Sequence, residues 1–519
     1  MFRAWKENTG KSHEENEFNI LKKVSSAMKV EQPSEIKFPI QIIDIGIEVS
    51  SEAQEISKEF HTSRDITSWI ISWGTGNKTF ELADKLKQQG AIPVGSVAVP
   101  IRRDGSKLLS FMDMDELPKG FYSKSRMFCF LPLPVEAQVP VHLNGCFMVE
   151  QDRKSITRYN QDDKSNDTSY WNDAMLDDVV QSAYINLLAS VACRSNDPIV
   201  ETDYWKVWPR ITPMMNQDMV LLSQSFYRSI IMKDDMVFYR RNTGIGQGVK
   251  CSLSQAFVLD PEFRHSGENG QIAFDCLLEF YHNSCIIIDM PLEIYINFGE
   301  IPGVDINKLK SRIISKTDFY NKYFFPNLKD DFWQQLNRRK KRDRLVKGAL
   351  EDKELHDLVK RYECIPVQMS NRLRKPCELV LEKGPVSAMF TVEDEVFPDA
   401  SVECYTSILI NMGMMEDKIS SKLLRERART VVTLCKETAL VRSTAIVKYL
   451  NTNMHLHSDA TEDLKNIPFL PVLKNLDRWP LPWKADNLEP EEYLFPPSQL
   501  FHLTTSLLLD QLGMCSINL

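Results

Sequence analysis

The residues best suited by type to do chemistry form the stretch Ser72-Trp-Gly-Thr-Gly-Asn-Lys-Thr79, between an apolar run and a helical pattern. A phosphate-cradling loop stands at such a junction. It needs G-x-x-x-x-G-K-S/T, because only glycine lets backbone N–H groups wrap a phosphate closely. With Lys78 and Thr79 in the last two positions, Ser72 and Asn77 stand where both glycines belong. The stretch therefore reads as a strand-to-helix turn made by Gly74 and Gly76. A second cluster, Asn242 to Gly248 (NTGIGQG), carries a G-x-G between "MVFYRR" and the β-like "KCSLSQAFVLD", which is the setting of a hairpin loop rather than of a dinucleotide site.

The run Arg338-Arg-Lys-Lys-Arg342, with Arg344 and Lys347, offers phosphate or nuclear-import chemistry. Eight residues pass there without an apolar side chain, so an exposed turn or helix face is expected. No aromatics interleave the cations as they do in single-stranded nucleic-acid grooves, so nucleic acid is not the expected partner. His455 and His457 share a side only in a strand and have no cysteine or acidic companion at metal-ligand spacing, so no metal is expected. H-E-x-x-H and G-x-S-x-G are absent, and no catalytic residue is assigned.

These residues sit in a chain of 519 with 43% hydrophobic and 26% charged residues, enough to fold as roughly two to four domains. Its net charge of −8 argues against broad nucleic-acid affinity. The eleven cysteines include no CxxC, which suits reduced, mostly buried thiols in the cytosol or nucleus. The sequence shows no apolar stretch of membrane-spanning length and no signal-peptide pattern at its start.

Runs at 40–47, 65–72 and 91–101 read as strands, with helices expected over 51–60 and after Lys78, a helix-and-sheet layer. Further strands are expected at 127–133 and 141–150. Long helical patterns follow from Trp171 and from Asn216, with short strands at "QAFVLD", "CIIIDMPLEI" and "ECIPV". The fold class is α+β, in four parts: a polar lead-in over 1–37, an α/β layer over 38–165, a mixed region over 166–350 and a mostly helical region over 351–519.

The segment "FCFLPLPVEAQVPVHLNGCFMVEQDRKSI" (128–156) closely resembles the hallmark of the sacsin repeats, a chaperone-like family built around a domain similar to the ninety-kilodalton heat-shock chaperone (Hsp90). "IISWGTG", "IPVGSVAVPI", "ECIPV", "LRKPCELV", "IPFLPVL" and "LPWKADN" match further on, in the family's order, over about residues 65 to 490. Leu131, Pro132, Pro134, Pro140, His142, Asn144 and Gly145 carry the match. On their own terms the prolines belong at a strand edge or exit, Asn144 and Gly145 suit a tight turn in a core hairpin, and His142 is a packed residue rather than a base.

The resemblance implies a middle-domain-like layer following an ATP-binding domain whose helix motif and D-x-G-x-G are not found in residues 1–64, so the chain reads as part of one repeat and as a fragment. It implies a non-catalytic chaperone or co-chaperone scaffold in the cytoplasm, with client proteins and Hsp70-type chaperones as partners. ATP enters only if an upstream or partner domain supplies the pocket, and Arg153 is then the phosphate contact. The alternatives are a divergent ATPase of the gyrase and heat-shock-chaperone (GHKL) type, and a nuclear or nucleic-acid-associated adaptor working through residues 338–347.

Overall fold

The computed structural model describes residues 39–50, 62–86, 90–105, 107–118, 121–157, 167–192, 201–241, 248–281, 285–303, 305–329, 333, 335–460, 463–464, 466–471 and 494–495. The chain divides into two units, Met1–Lys316 and Thr317–Leu519. The division falls inside the expected 166–350 region, just after the strand Ile313–Ile314.

The first unit is built on a seven-stranded sheet of β1 (Gln41–Ser50), β2 (Thr62–Gly74), β3 (Gly95–Asp104), β4 (Lys107–Phe111), β5 (Arg126–Cys129), β6 (Leu131–Glu136) and β7 (His142–Gly145). The order is β1-β2-β3-β7-β5-β6, with β4 paired to β3. Every pairing is antiparallel except β5 with β7. The strands expected at 40–47, 65–72 and 91–101 fall in β1, β2 and β3, whereas the single strand expected over 127–133 folds back at Phe130 as β5 and β6, and of 141–150 only His142–Gly145 is strand. The helix expected over 51–60 lies outside the described residues. After the turn at Gly74 comes α1 (Asn77–Lys85).

One face of the sheet is covered by a long helical run: α2 (Asp167–Ala174), a π-helical segment Met175–Val180, and α3 (Gln181–Ala192). Its buried residues include Trp171, Met175, Val179, Ala183, Leu187 and Val191, the spacing of one helical face. The helix comes very close: a Cβ on Gly74 would lie 2.4 Å from the backbone of both Val179 and Ala183.

The chain continues through α4 (Glu201–Lys206), α5 (Gln217–Lys233) and the hairpin β8 (Phe238–Arg241) with β9 (Gly248–Cys251). Arg241 pairs with Gly248, so "NTGIGQG" connects a hairpin as expected; residues 242–247 themselves lie outside the described residues. A small parallel sheet follows, ordered β11 (Ile286–Ile288), β10 (Ala256–Leu259), β12 (Ile313–Ile314), wound with α6 (Pro261–His265), α7 (Glu268–Tyr281) and α8 (Leu292–Gly299). One continuous core runs from Ile70 to Leu309, so the layer over 38–165 shares its interior with the helices after it.

The second unit contains α9 (Leu336–Glu351), α10 (His356–Arg361), the two-residue pair β13 (Ile365–Pro366) and β14 (Leu373–Arg374), α11 (Ser421–Arg429) and α12 (Lys436–Asn453), with a core from Val380 to Leu470. The chain is thus an α+β protein with several small sheets. Among the described residues no helix is long and apolar enough to cross a membrane. The described cysteines are free thiols; Cys129, Cys251, Cys276 and Cys364 are buried, while Cys377, Cys404 and Cys435 face water.

Candidate functional site

The opening stretch folds as a strand-to-helix turn, and its anion position is already filled. The backbone N–H groups of Lys78 and Thr79 donate to Asp178 Oδ2 at 2.8 and 3.4 Å. Lys78 Nζ pairs with the Asp177 carboxylate. Both acids belong to the π-helical segment. Free N–H groups at a helix N-terminus attract an anion, and here the chain supplies its own. A Cβ on Gly76 would lie 2.0 Å from the Asp178 carboxylate, so the glycine there serves close approach. Burial pushes the Asp178 carboxyl above the usual range, opposed by the Thr79 and Lys78 amides.

The seven hallmark residues occupy the opposite half of the sheet. Leu131, Pro132 and Pro134 lie in β6, the terminal strand of the order, where prolines belong because they cannot donate to a ladder. The turn between β5 and β6 is a single residue, Phe130, with φ of 60°. Pro140 lines a cleft of about 260 Å³ with Phe111, Met112, Lys124, Gln138 and Lys206. His142 is buried in β7, its ring stacked on Trp69 at 5.3 Å and met edge-on by Phe128 at 5.4 Å. Its Nδ1 accepts the backbone N–H of Arg126 at 2.9 Å. Burial, with the Arg126 charge, pushes its pKa down to about 4, so the ring is neutral.

Asn144 and Gly145 correct the turn expected of them. Both are in β7, paired with Ser96 and Gly95 of β3, and Asn144 Nδ2 donates to Ser96 Oγ at 3.3 Å. A Cβ on Gly145 would meet the terminal methyl of Met175 at 2.8 Å and the Phe147 ring at 3.1 Å, so the glycine serves close packing under the helix rather than a turn. The core hairpin is likewise β5 with β6 rather than β5 with β7, because β7 returns on the far side of β5 and runs parallel to it.

Arg153 sits in an exposed turn between the bridged residues Val149 and Ile156, with φ of 53°. Its Nη2 donates to the Cys129 carbonyl at 3.1 Å, which ties the turn to the end of β5.

The basic run departs from the exposure expected of it. It lies within α9, where among residues 338–347 only Lys340 is fully exposed, and Arg342 is buried beside Asp343. Arg344 pairs with Glu351 at 3.7 Å. The aliphatic stems of arginine and lysine pack as apolar surface, which is why a run without apolar side chains is still half buried.

His455 and His457 fall in the 3-10 segment Met454–Ala460, where His457 is buried and His455 exposed. Among the described residues no group of three or more His, Cys, Asp or Glu has a metal-holding arrangement. Sequence reasoning missed the Asp178 contact and a network in the second unit, in which Asp394 pairs with both Arg427 and Arg442. Local sequence carries no signal for either, since the partners lie 100, 33 and 48 residues apart.

No family model matches the chain, and no solved structure matches it. Among curated proteins, sacsin of Homo sapiens is 25% identical over 465 residues, which cover 84% of this chain and 10% of sacsin. The chain thus spans about a tenth of the length of that relative. The likeness first carried by the proline-rich hairpin extends over most of the chain, and the protein is sacsin-like at a distant level of relationship.

Proposed function

We propose that the chain is a non-catalytic body of a chaperone-related assembly, holding client proteins in the cytoplasm together with chaperones of the Hsp70 type. A chaperone-related role follows from the sacsin likeness at the level of the family. The observation that carries the non-catalytic reading is the Asp178 carboxylate on the amides of Lys78 and Thr79. The turn nearest to a phosphate-binding sequence spends its donors on the chain's own acid. His142 supports the same reading: stacked on Trp69 and met edge-on by Phe128, it has no room to act as a base.

Two measurements on the full chain test this. Light scattering of citrate synthase during heating should show aggregation suppressed by a stoichiometric amount of the protein. Calorimetric titration with ATP and magnesium should show no binding. Tight ATP binding with turnover that depends on Arg153 would replace the proposal with a divergent ATPase, and failure to suppress aggregation would remove its client-holding part.

A further inference from the structure

The tip of the β5–β6 hairpin spends structure on display. Phe130 and Leu131 are 62% and 61% exposed, side by side, at the end of the sheet's terminal strand. Phe130 holds the left-handed conformation, which glycine adopts freely and an aromatic residue adopts at a cost. The tip is also braced. Arg153 Nη2 binds the carbonyl of Cys129, the residue before Phe130, and Arg153 is itself left-handed. A strained, propped and exposed aromatic is not explained by packing within the fold.

The charge around the tip says what it would meet. Lys124 and Lys154 are neutralised by Glu136 and Asp152. Among the described residues Arg153, whose guanidinium reaches the carbonyl next to Phe130, has no carboxylate partner, while Arg126 stands at the other end of the hairpin opposite Glu136. The guanidinium of Arg126 lies 4.6 Å from the ring centre of Tyr122, which is 41% exposed and packs edge-on against Phe128. The tip therefore presents aromatic and aliphatic surface with the Arg153 cation beside it. Pro132 and Pro134 in β6 withhold backbone donors, so recognition runs through side chains and not through an added strand.

We propose that the Phe130–Leu131 tip, with Arg153 beside it, is a docking knob for extended, non-native protein segments that combine apolar and acidic side chains. This rests on the client-holding reading and names the client chemistry.

Fluorescence anisotropy of the full chain with two labelled peptides tests it, one alternating Leu and Phe with Glu, the other with Lys in place of each Glu. The parent should bind the Glu peptide about tenfold more tightly or better, given unlike charges at the contact. Phe130→Gly should weaken that binding about tenfold or more, as loss of an aromatic anchor does, with a melting temperature at or above the parent's because glycine relaxes the backbone. Leu131→Ser, at an exposed position, should weaken it without loss of fold. Unchanged binding in both variants, preference for the Lys peptide, or no binding by the parent overturns the proposal. If aggregation of citrate synthase is still suppressed in any of these cases, the wider function stands and only the knob is wrong.

Discussion

The carboxylate of Asp178 accepts the backbone N–H of Lys78 at 2.8 Å across 100 residues of sequence, and so converts a helix N-terminus that resembles a phosphate site into a tertiary clasp. What the contact needs is an acceptor, because burial already raises the carboxyl's pKa and disfavours its charge. Asp178→Ala leaves two N–H groups without their acceptor and should destabilise the protein by about 1–3 kcal/mol. Asp178→Asn keeps an acceptor oxygen and removes the buried charge, so it should stay within about 1 kcal/mol of the parent. Urea unfolding of the three proteins at neutral pH checks the order. Equal losses in both variants would mean that the charge itself holds the clasp.

His142 makes stability depend on pH. Its folded pKa, lowered by burial and by Arg126 to about 4, lies below the ordinary value of 6.5. The unfolded chain therefore takes up a proton that the folded ring refuses. The stability from the neutral ring is fully present above pH 6.5 and is lost as pH falls toward 4, on the order of 3 kcal/mol in all. His142→Gln should show a smaller fall in unfolding free energy between pH 7.5 and 5 than the parent. A parallel pH dependence in the two proteins would show that the ring titrates normally.

How much was legible follows the range of each interaction. Helical periodicity gave the run from Trp171 and the helix after Asn216, whose side chain caps it by accepting the Met219 N–H at 2.9 Å. The prolines placed β6 at an edge because a missing N–H is a local fact. Asn144 and Gly145 misled because Asn-Gly favours a turn locally, while Ser96, Gly95 and Met175 decide otherwise from 48, 50 and 30 residues away. The basic run misled because side-chain stems pack where charge alone suggests water. Asp178 was invisible for the same reason as Asp394: nothing beside it in sequence announces its partner.

Asp394 holds two buried guanidinium groups at once, those of Arg427 and Arg442, with Phe390 beneath Arg427 at 5.3 Å. Burial lowers the pKa of Arg442, and Asp394 opposes that shift. Asp394→Ala leaves Arg442 without its carboxylate in a desolvated site and Arg427 with Glu426 alone, and should cost about 3–5 kcal/mol. Pairing it with Arg442→Met should recover part of the loss, since a methionine needs no counter-charge. Chemical denaturation followed by a double-mutant cycle reads the coupling; strictly additive losses would mean the pair is not a unit.

His457 closes a chain of hydrogen bonds whose direction is fixed at its Asp459 end. The Ile419 N–H can only donate, and it donates to Tyr449 Oη at 3.2 Å. The Asp459 carboxylate can only accept, and it takes the Ser421 hydroxyl proton at 2.6 Å. With that proton committed, the 3.0 Å contact between Ser421 Oγ and His457 Nδ1 requires a proton on Nδ1. Nε2 is then the acceptor of the Tyr449 hydroxyl at 3.0 Å. Protonating the ring sets a second N–H against that hydroxyl, consistent with a pKa lowered chiefly by burial and only partly opposed by Asp459. Nitrogen-15 NMR of the histidine rings should find His457 neutral at pH 7, with its proton on Nδ1. Tyr449→Phe removes the donor to Nε2 and should raise the His457 pKa toward 6.5. A His457 proton on Nε2 in the parent would reverse its contacts with Ser421 and Tyr449 and contradict the acceptor role of Asp459.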